Sequence, residues 1–234
     1  MAPSPGQGSL SEAAYAEVKR RILDLRMPPG SDFTEGELVA ELNVSKTPIR
    51  EALARLRQEG LVDAMARSGY VVTPVTVKDA RDLMGLRTLL EGEAAALAAA
   101  RGTDLEQLRK LEELCKTSYK PGDRRSIVTF LGANFNFHMA IGRLSGNARL
   151  IEALEQVLEQ LERIMHLGLN ATSRGDEIVH EHTELVNAIL AGDPEKARDI
   201  AVSQGHTSQR MVLEALLSSD IVMSTNIGAL RNGR

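Results

Sequence analysis

Two sets of side chains in this sequence have the types and spacing to do chemistry. The first is cationic and lies in residues 44–61. Ile49, Leu53 and Leu56 recur there at i, i+4 and i+7, the period of one helix face. Ser45, Lys46 and Thr47 sit at the start of that helix, and Lys46, Thr47, Arg50 and Arg57 fall at or off the edge of its apolar face. Such a helix start suits DNA. Lys46 or Arg50 can donate to guanine O6 and N7 in the major groove, while the Ser45 and Thr47 hydroxyls suit phosphates. A second reading is a short amphipathic helix with a solvated cationic face, Arg50 paired with Glu51. The stretch alone leaves both open.

The second set lies further along. Arg87 interrupts the apolar run Leu86-Arg87-Thr88-Leu89-Leu90-Glu91. A buried guanidinium needs an anion. That anion is either Glu91 one turn on, or the carboxylate of a ligand held bidentately. All five histidines, His138, His166, His180, His182 and His206, follow residue 137. Asn134 and His138, at i and i+4, share one helix face. His180 and His182 are opposed, so only one points inward. Clustered imidazoles and carboxylates raise the possibility of a metal-dependent hydrolase. That chemistry needs a general base and an open metal position, and no His-Glu-x-x-His motif is present.

The elements that position these groups follow from periodicity and caps. Tyr15, Val18, Ile22 and Leu25 give a helix over 11–25, stopped by Pro28-Pro29-Gly30. Thr34 and Glu37 have capping-box spacing for a second helix to about Leu42, and Asn43 suits a left-handed turn. The cationic helix follows, capped by Thr47 ahead of Pro48 or by Ser45, and ended by Gly60. Residues 61–65 and 70–73 are β-prone and flank the turn Ala66-Arg67-Ser68-Gly69, a hairpin with a cationic tip. This is a winged helix-turn-helix.

After Thr76 the strand signals vanish. Thr76 with Asp79 and Thr103 with Glu106 mark helix starts. Further helices are expected over 79–101, 105–119, 124–144, 148–167, 174–190 and from Asp193-Pro194 to about 217. Asn147 is the expected cap of the fourth of these. Leu150, Leu154, Val157, Leu161 and Ile164 form a near-heptad seam. The expected fold is mainly α: a tail over 1–10, a winged helix-turn-helix over 11–75, an all-helical bundle of about six helices over 76–217, and a polar tail over 218–234.

Composition agrees. Aromatics are 3% and Trp is absent, so the cores are aliphatic, which favours helix packing. One cysteine, Cys115, excludes an internal disulfide. The net charge of −4 means any nucleic-acid site is a local patch. No apolar run spans a membrane and residues 1–10 do not read as a signal peptide, so a cytoplasmic location is expected.

The order of motifs resembles a known family. A first helix, Pro-Pro-Gly, Glu-x-x-Leu-x-x-x-Leu, the run Val-Ser-Lys-Thr-Pro-Ile-Arg-Glu-Ala-Leu-x-x-Leu-x-x-Glu-Gly-Leu and Gly-Tyr-x-Val are similar to the GntR family of bacterial transcription regulators. Arg87-x-x-x-Glu91, Phe137-His138, Ser145-Gly146-Asn147, Glu181-His182 and Ala188-Ile189-x-x-Gly192-Asp193 resemble the FCD ligand-binding domain of its FadR subfamily.

The resemblance implies a homodimeric repressor or activator of double-stranded operator DNA. Ser45, Lys46, Thr47 and Arg50 would contact DNA, with the wing tip Arg67, Ser68 and Gly69 near the minor groove. Gly36 stands where many relatives carry a DNA-contacting Arg. The helical domain would bind a small carboxylate effector, an organic or sugar acid, through Arg87, Asn134, His138, Asn147, His182 and Gln204. The family commonly holds a divalent metal there on an Asp, a His four residues later and two further His. This chain offers Asn134, His138, His182 and either His206 or Gln204, for one ion of the Zn, Ni or Mn class. The alternative is a metal-free pocket in which the same residues hydrogen-bond the effector. A purely architectural DNA-binding dimer would leave Arg87 and the imidazoles unexplained.

Overall fold

The computed structural model describes residues 7–65, 69–102, 105–116, 119–171 and 175–218. The chain divides into two compact units between Val75 and Thr76.

The first unit runs α1 (Gln7–Leu23), β1 (Asp32–Phe33), α2 (Glu35–Leu42), α3 (Lys46–Gln58), β2 (Val62–Met65) and β3 (Gly69–Val72). Two expectations about α1 are corrected. It begins at Gln7, inside the stretch 1–10 read as a tail, and takes in Gly8 in its first turn. It stops at Leu23, and Leu25 adopts a left-handed φ of 60°. The Met27 N–H closes the end on the Arg21 carbonyl.

Thr34 caps α2 in a full capping box with Glu37, and Asn43 takes the left-handed turn. The cap of α3 is Ser45, not Thr47, so Pro48 lies in the first turn. Val18 and Ile22 of α1 meet Ile49, Leu53 and Leu56 of α3 in a fully buried core, roofed by Val62 and Val72.

The wing carries one strand more than a hairpin. β1 pairs with β3, Asp32 opposite Val71 and Phe33 opposite Tyr70, giving the order β1-β3-β2. A strand of two residues is too short to show a period.

The second unit consists, among the described residues, of α4 (Val77–Arg101), α5 (Leu105–Cys115), α6 (Arg124–Leu144), α7 (Ala148–Ala171), α8 (Gly175–Leu190) and α9 (Pro194–Ser218). Thr76 caps α4, accepting from the Asp79 N–H. α4 is the hub, packed against α6, α7, α8 and α9. Its alanines Ala94, Ala95, Ala98 and Ala99 share a core with Phe137, Ile141, Ala197 and Ala201. Small residues let α9 come close: a Cβ at Gly205 would lie 2.3 Å from Thr88 Oγ1. The seam Leu150, Leu154, Val157, Leu161 and Ile164 on α7 is buried throughout.

Helix α5 ends at Cys115, short of the expected Tyr119. Tyr119 instead packs its ring on Phe130, centroids 4.9 Å apart. The cap expected at Thr103 and the polar stretch 219–234 lie outside the described residues. No helix among the described residues is long and apolar enough to cross a membrane.

Candidate nucleic-acid interface and buried polar cluster

The register of α3 sorts its residues by function. Pro48, Ile49, Ala52, Leu53 and Leu56 are buried, which turns Ser45, Lys46, Thr47 and Arg50 outward at the helix start. Ser45 makes no side-chain cap bond. Its hydroxyl and the first N–H groups of the helix are thus arranged to meet an anion. Of the wing tip, Arg67 and Ser68 lie outside the described residues. Gly69 opens β3, where a Cβ would press to 3.3 Å from the Phe33 carbonyl oxygen.

Arg50 does not pair with Glu51. Its Nε donates to Glu35 Oε2 at 2.9 Å, and the Tyr70 hydroxyl reaches the other oxygen of Glu35 at 3.4 Å. Sequence reasoning missed Glu35 because the contact spans two helices and the wing. Its one signal was an acid in the first turn of α2. These residues line a cleft of about 390 Å³ with Thr34, Gly36, Ala64, Met65 and Gly69. Arg57 lies outward as well, 3.8 Å from Asp63.

The helical unit holds a second polar constellation, all of it buried. Arg87 on α4 is 4% exposed. Its Nε donates to Glu91 Oε1 at 2.9 Å and its Nη2 lies 3.1 Å from His138 Nε2 on α6. Nη1 points at the Met165 sulfur of α7, at 3.9 Å. Nδ1 of His138 is 3.0 Å from the same Glu91 oxygen. An arginine only donates, so His138 Nε2 accepts and Nδ1 carries the proton to Glu91. His182 on α8 stacks on Phe137, centroids 4.2 Å apart, with its edge to His138 at 5.3 Å. Its Nδ1 has no partner among the described residues.

The electrostatics follow from burial. Burial drives His138 well below the usual imidazole range, and the Arg87 charge adds to it. Burial does the same to His182, with His138 and Arg87 contributing. Burial raises the Glu91 carboxyl, against the pull of Arg87.

Of the other residues singled out, Asn134 is buried one turn before His138. Gln204 is buried and its Nε2 donates to the Glu181 carbonyl. His206 is exposed, as two residues' rotation around α9 from buried Gln204 requires, which removes it from the ligand set. Asn147 is exposed and its Oδ1 accepts from the Leu150 N–H, so it serves as the cap of α7 and not in the cluster. His166, buried on α7, was given no role by its spacing.

A divalent ion does not fit these residues as they stand. Among the described residues no three His, Cys, Asp or Glu side chains converge on one point. The lone pair of His138 Nε2, the first ligand such an ion would need, faces the Arg87 guanidinium. Asn134 and Gln204 bring no charge.

Comparison with known proteins agrees with both halves. Residues 10–72 match the family described as bacterial regulatory proteins, gntR family, and residues 82–204 match the FCD domain. A probable D-xylose utilization operon transcriptional repressor from Paenarthrobacter nicotinovorans is 32% identical over 77% of this chain and 78% of its own length. An uncharacterized HTH-type transcriptional regulator from Streptomyces ambofaciens is 32% identical over 79% and 77%. In fold, the chain is similar to E. coli McbR/YncC, with a TM-score of 0.73 at 24% identity over 88% of this chain and 97% of that one. The relatives and the fold are those of transcription regulators, not enzymes. The chain belongs to the GntR family of bacterial transcription regulators, with an FCD domain as its helical half.

Proposed function

We propose that the protein is a homodimeric, effector-responsive regulator acting in the cytoplasm on double-stranded operator DNA. Ser45, Lys46, Thr47 and Arg50 read the major groove, with Arg67, Ser68 and Gly69 at the minor groove. A small carboxylate, an organic or sugar acid, enters the helical domain and is received by Arg87, with Asn134, His138, His182 and Gln204 around it. The name of one relative ties it to D-xylose utilization, which makes sugar-derived acids the first probes. The effector acts by population shift, favouring one spacing of the two DNA-binding units of the dimer over another.

The observation that carries the DNA reading is the sorting of α3: Pro48, Ile49, Ala52, Leu53 and Leu56 are buried, and the four polar or cationic residues at its start are all exposed. For the effector it is Arg87, a buried guanidinium with five N–H donors and, among the described residues, one carboxylate on it. The test is a gel shift on DNA upstream of the protein's own gene, with and without candidate acids. Retardation that an acid alters is expected. No retardation at low salt, where phosphate contacts are strongest, overturns the reading.

A further inference from the structure

We infer that the Arg87 guanidinium takes the place of a divalent ion in the helical domain, so that effector reception here needs no metal. The inference rests on the carboxylate-effector reading and says which cation serves it. A histidine bound to a metal gives its other ring N–H to a carboxylate, which fixes the tautomer and sharpens the ligating lone pair. That arrangement is present: Glu91 takes the His138 Nδ1 proton at 3.0 Å and Nε2 faces a cation. The cation is Nη2 of Arg87, at 3.1 Å.

The two cations exclude each other. An ion bound to Nε2 sits about 2.0–2.1 Å along the lone pair, the direction in which Arg87 donates. A guanidinium does not lose its proton to make room. An ion could load only by expelling Arg87 from its buried pair with Glu91, which strands a charge in the core. The ion would gain little in return. Besides His182, whose ring centroid is 5.3 Å from that of His138, the set offers only the amides of Asn134 and Gln204, neutral oxygens suited to hydrogen bonding more than to a borderline-soft dication. Gln204 is already tied through its amide nitrogen to the Glu181 carbonyl.

What remains suits an organic acid. Arg87 uses one donor on Glu91, one on His138 and one on a thioether sulfur, a weak acceptor. The remaining N–H groups, with no partner among the described residues, can take a carboxylate. The buried His182 Nδ1, with no partner among the described residues, is a second polar atom for the same ligand.

The experiment adds Zn²⁺ or Ni²⁺ alone to full-length protein purified without chelator or nickel resin. Bound metal is read by elemental analysis after desalting, and melting temperature in parallel. The wild type should retain less than about a tenth of an equivalent and melt unchanged. The variant Arg87→Met with Asn134→Asp frees Nε2 and supplies an acid, and should retain metal and melt higher with it. The variant Asn134→Asp with Gln204→His keeps Arg87 and should stay metal-poor, which holds the test open if the first variant fails to fold. A full equivalent on the wild type, metal uptake with Arg87 in place, or no uptake by folded protein lacking Arg87 each overturns the inference. A gel shift with EDTA separates the two claims: no acid response at any metal level sinks the effector reading, whereas a response abolished by EDTA sinks only the ion-free one.

Discussion

Arg50 Nε stands 2.9 Å from Glu35 Oε2, so the guanidinium proposed for the major groove already has an anionic partner. DNA must outbid that carboxylate. Arg50→Ala should abolish specific operator binding and leave the protein's size by chromatography unchanged. Glu35→Gln releases the guanidinium and should tighten binding to all sequences, steepening the log K against log salt slope by up to about one. Wild-type operator affinity in Arg50→Ala would remove Arg50 from the interface.

Gly36 faces solvent beside the same cleft, and a Cβ there would meet only Thr34 Oγ1, at 3.8 Å. An arginine is therefore accommodated without repacking. Gly36→Arg should raise DNA affinity and add about one to the salt slope. An unchanged slope would mean that this position does not face the phosphates.

Arg87→Ala should blunt any acid response while sparing DNA binding. It also leaves Glu91 buried without its cation, so the melting temperature should fall, with a cost on the order of 3–5 kcal/mol. Adding Glu91→Gln should recover part of that stability but not the response. An acid response of wild-type size in either variant would take Arg87 out of the pocket.

The buried imidazoles make a prediction about acid. His138 and His182 have folded pKa values well below 6.5, so they stay neutral where the unfolded chain is protonated. Their contribution is full above the unfolded pKa and is lost as pH falls from about 6.5 towards the folded values. Glu91 runs the other way: its raised pKa favours the folded state below about 4.5 and that contribution disappears as pH rises. His182→Phe, which keeps the stack on Phe137, should flatten the acid-side slope by up to about 1.4 kcal/mol per pH unit in urea titrations. An unaltered slope would show that His182 titrates normally in the fold.

Gly205→Ala tests the α4–α9 packing. Its Cβ would need the space of Thr88 Oγ1, which is bonded to the Met84 carbonyl. A loss of about 1–3 kcal/mol in thermal or urea unfolding is expected. Unchanged or raised stability would mean that the two helices part at no cost.

Much of this was legible in the sequence, for reasons that differ by element. The cap at Thr34, the turn at Asn43 and the register of Ile49, Leu53 and Leu56 are local, and local signals suffice for helices. Arg87 with Glu91 was readable because one turn separates them. His206 against Gln204 was decided by helix rotation, but only once a register was known. The Glu35–Arg50 pair and the His138–Arg87 bond join residues 15 and 51 positions apart, and no spacing rule reaches that far. Asn147, by contrast, was legible for a local reason: it was the expected cap of α7, and its Oδ1 accepts from the Leu150 N–H.

The two residues of β1 have an effect out of proportion to their length. A bare hairpin would offer two unsatisfied strand edges for another chain to copy. With Asp32 and Phe33 laid along β3, that strand is paired on both sides, and the edges of the sheet are β2 and the two-residue β1. The β2 edge is four residues long and carries Asp63, and the β1 edge is two residues long and carries Asp32. Short, charged edges resist strand addition. Molecules crowded onto neighbouring operators can therefore lie side by side without zipping into aggregates through their wings.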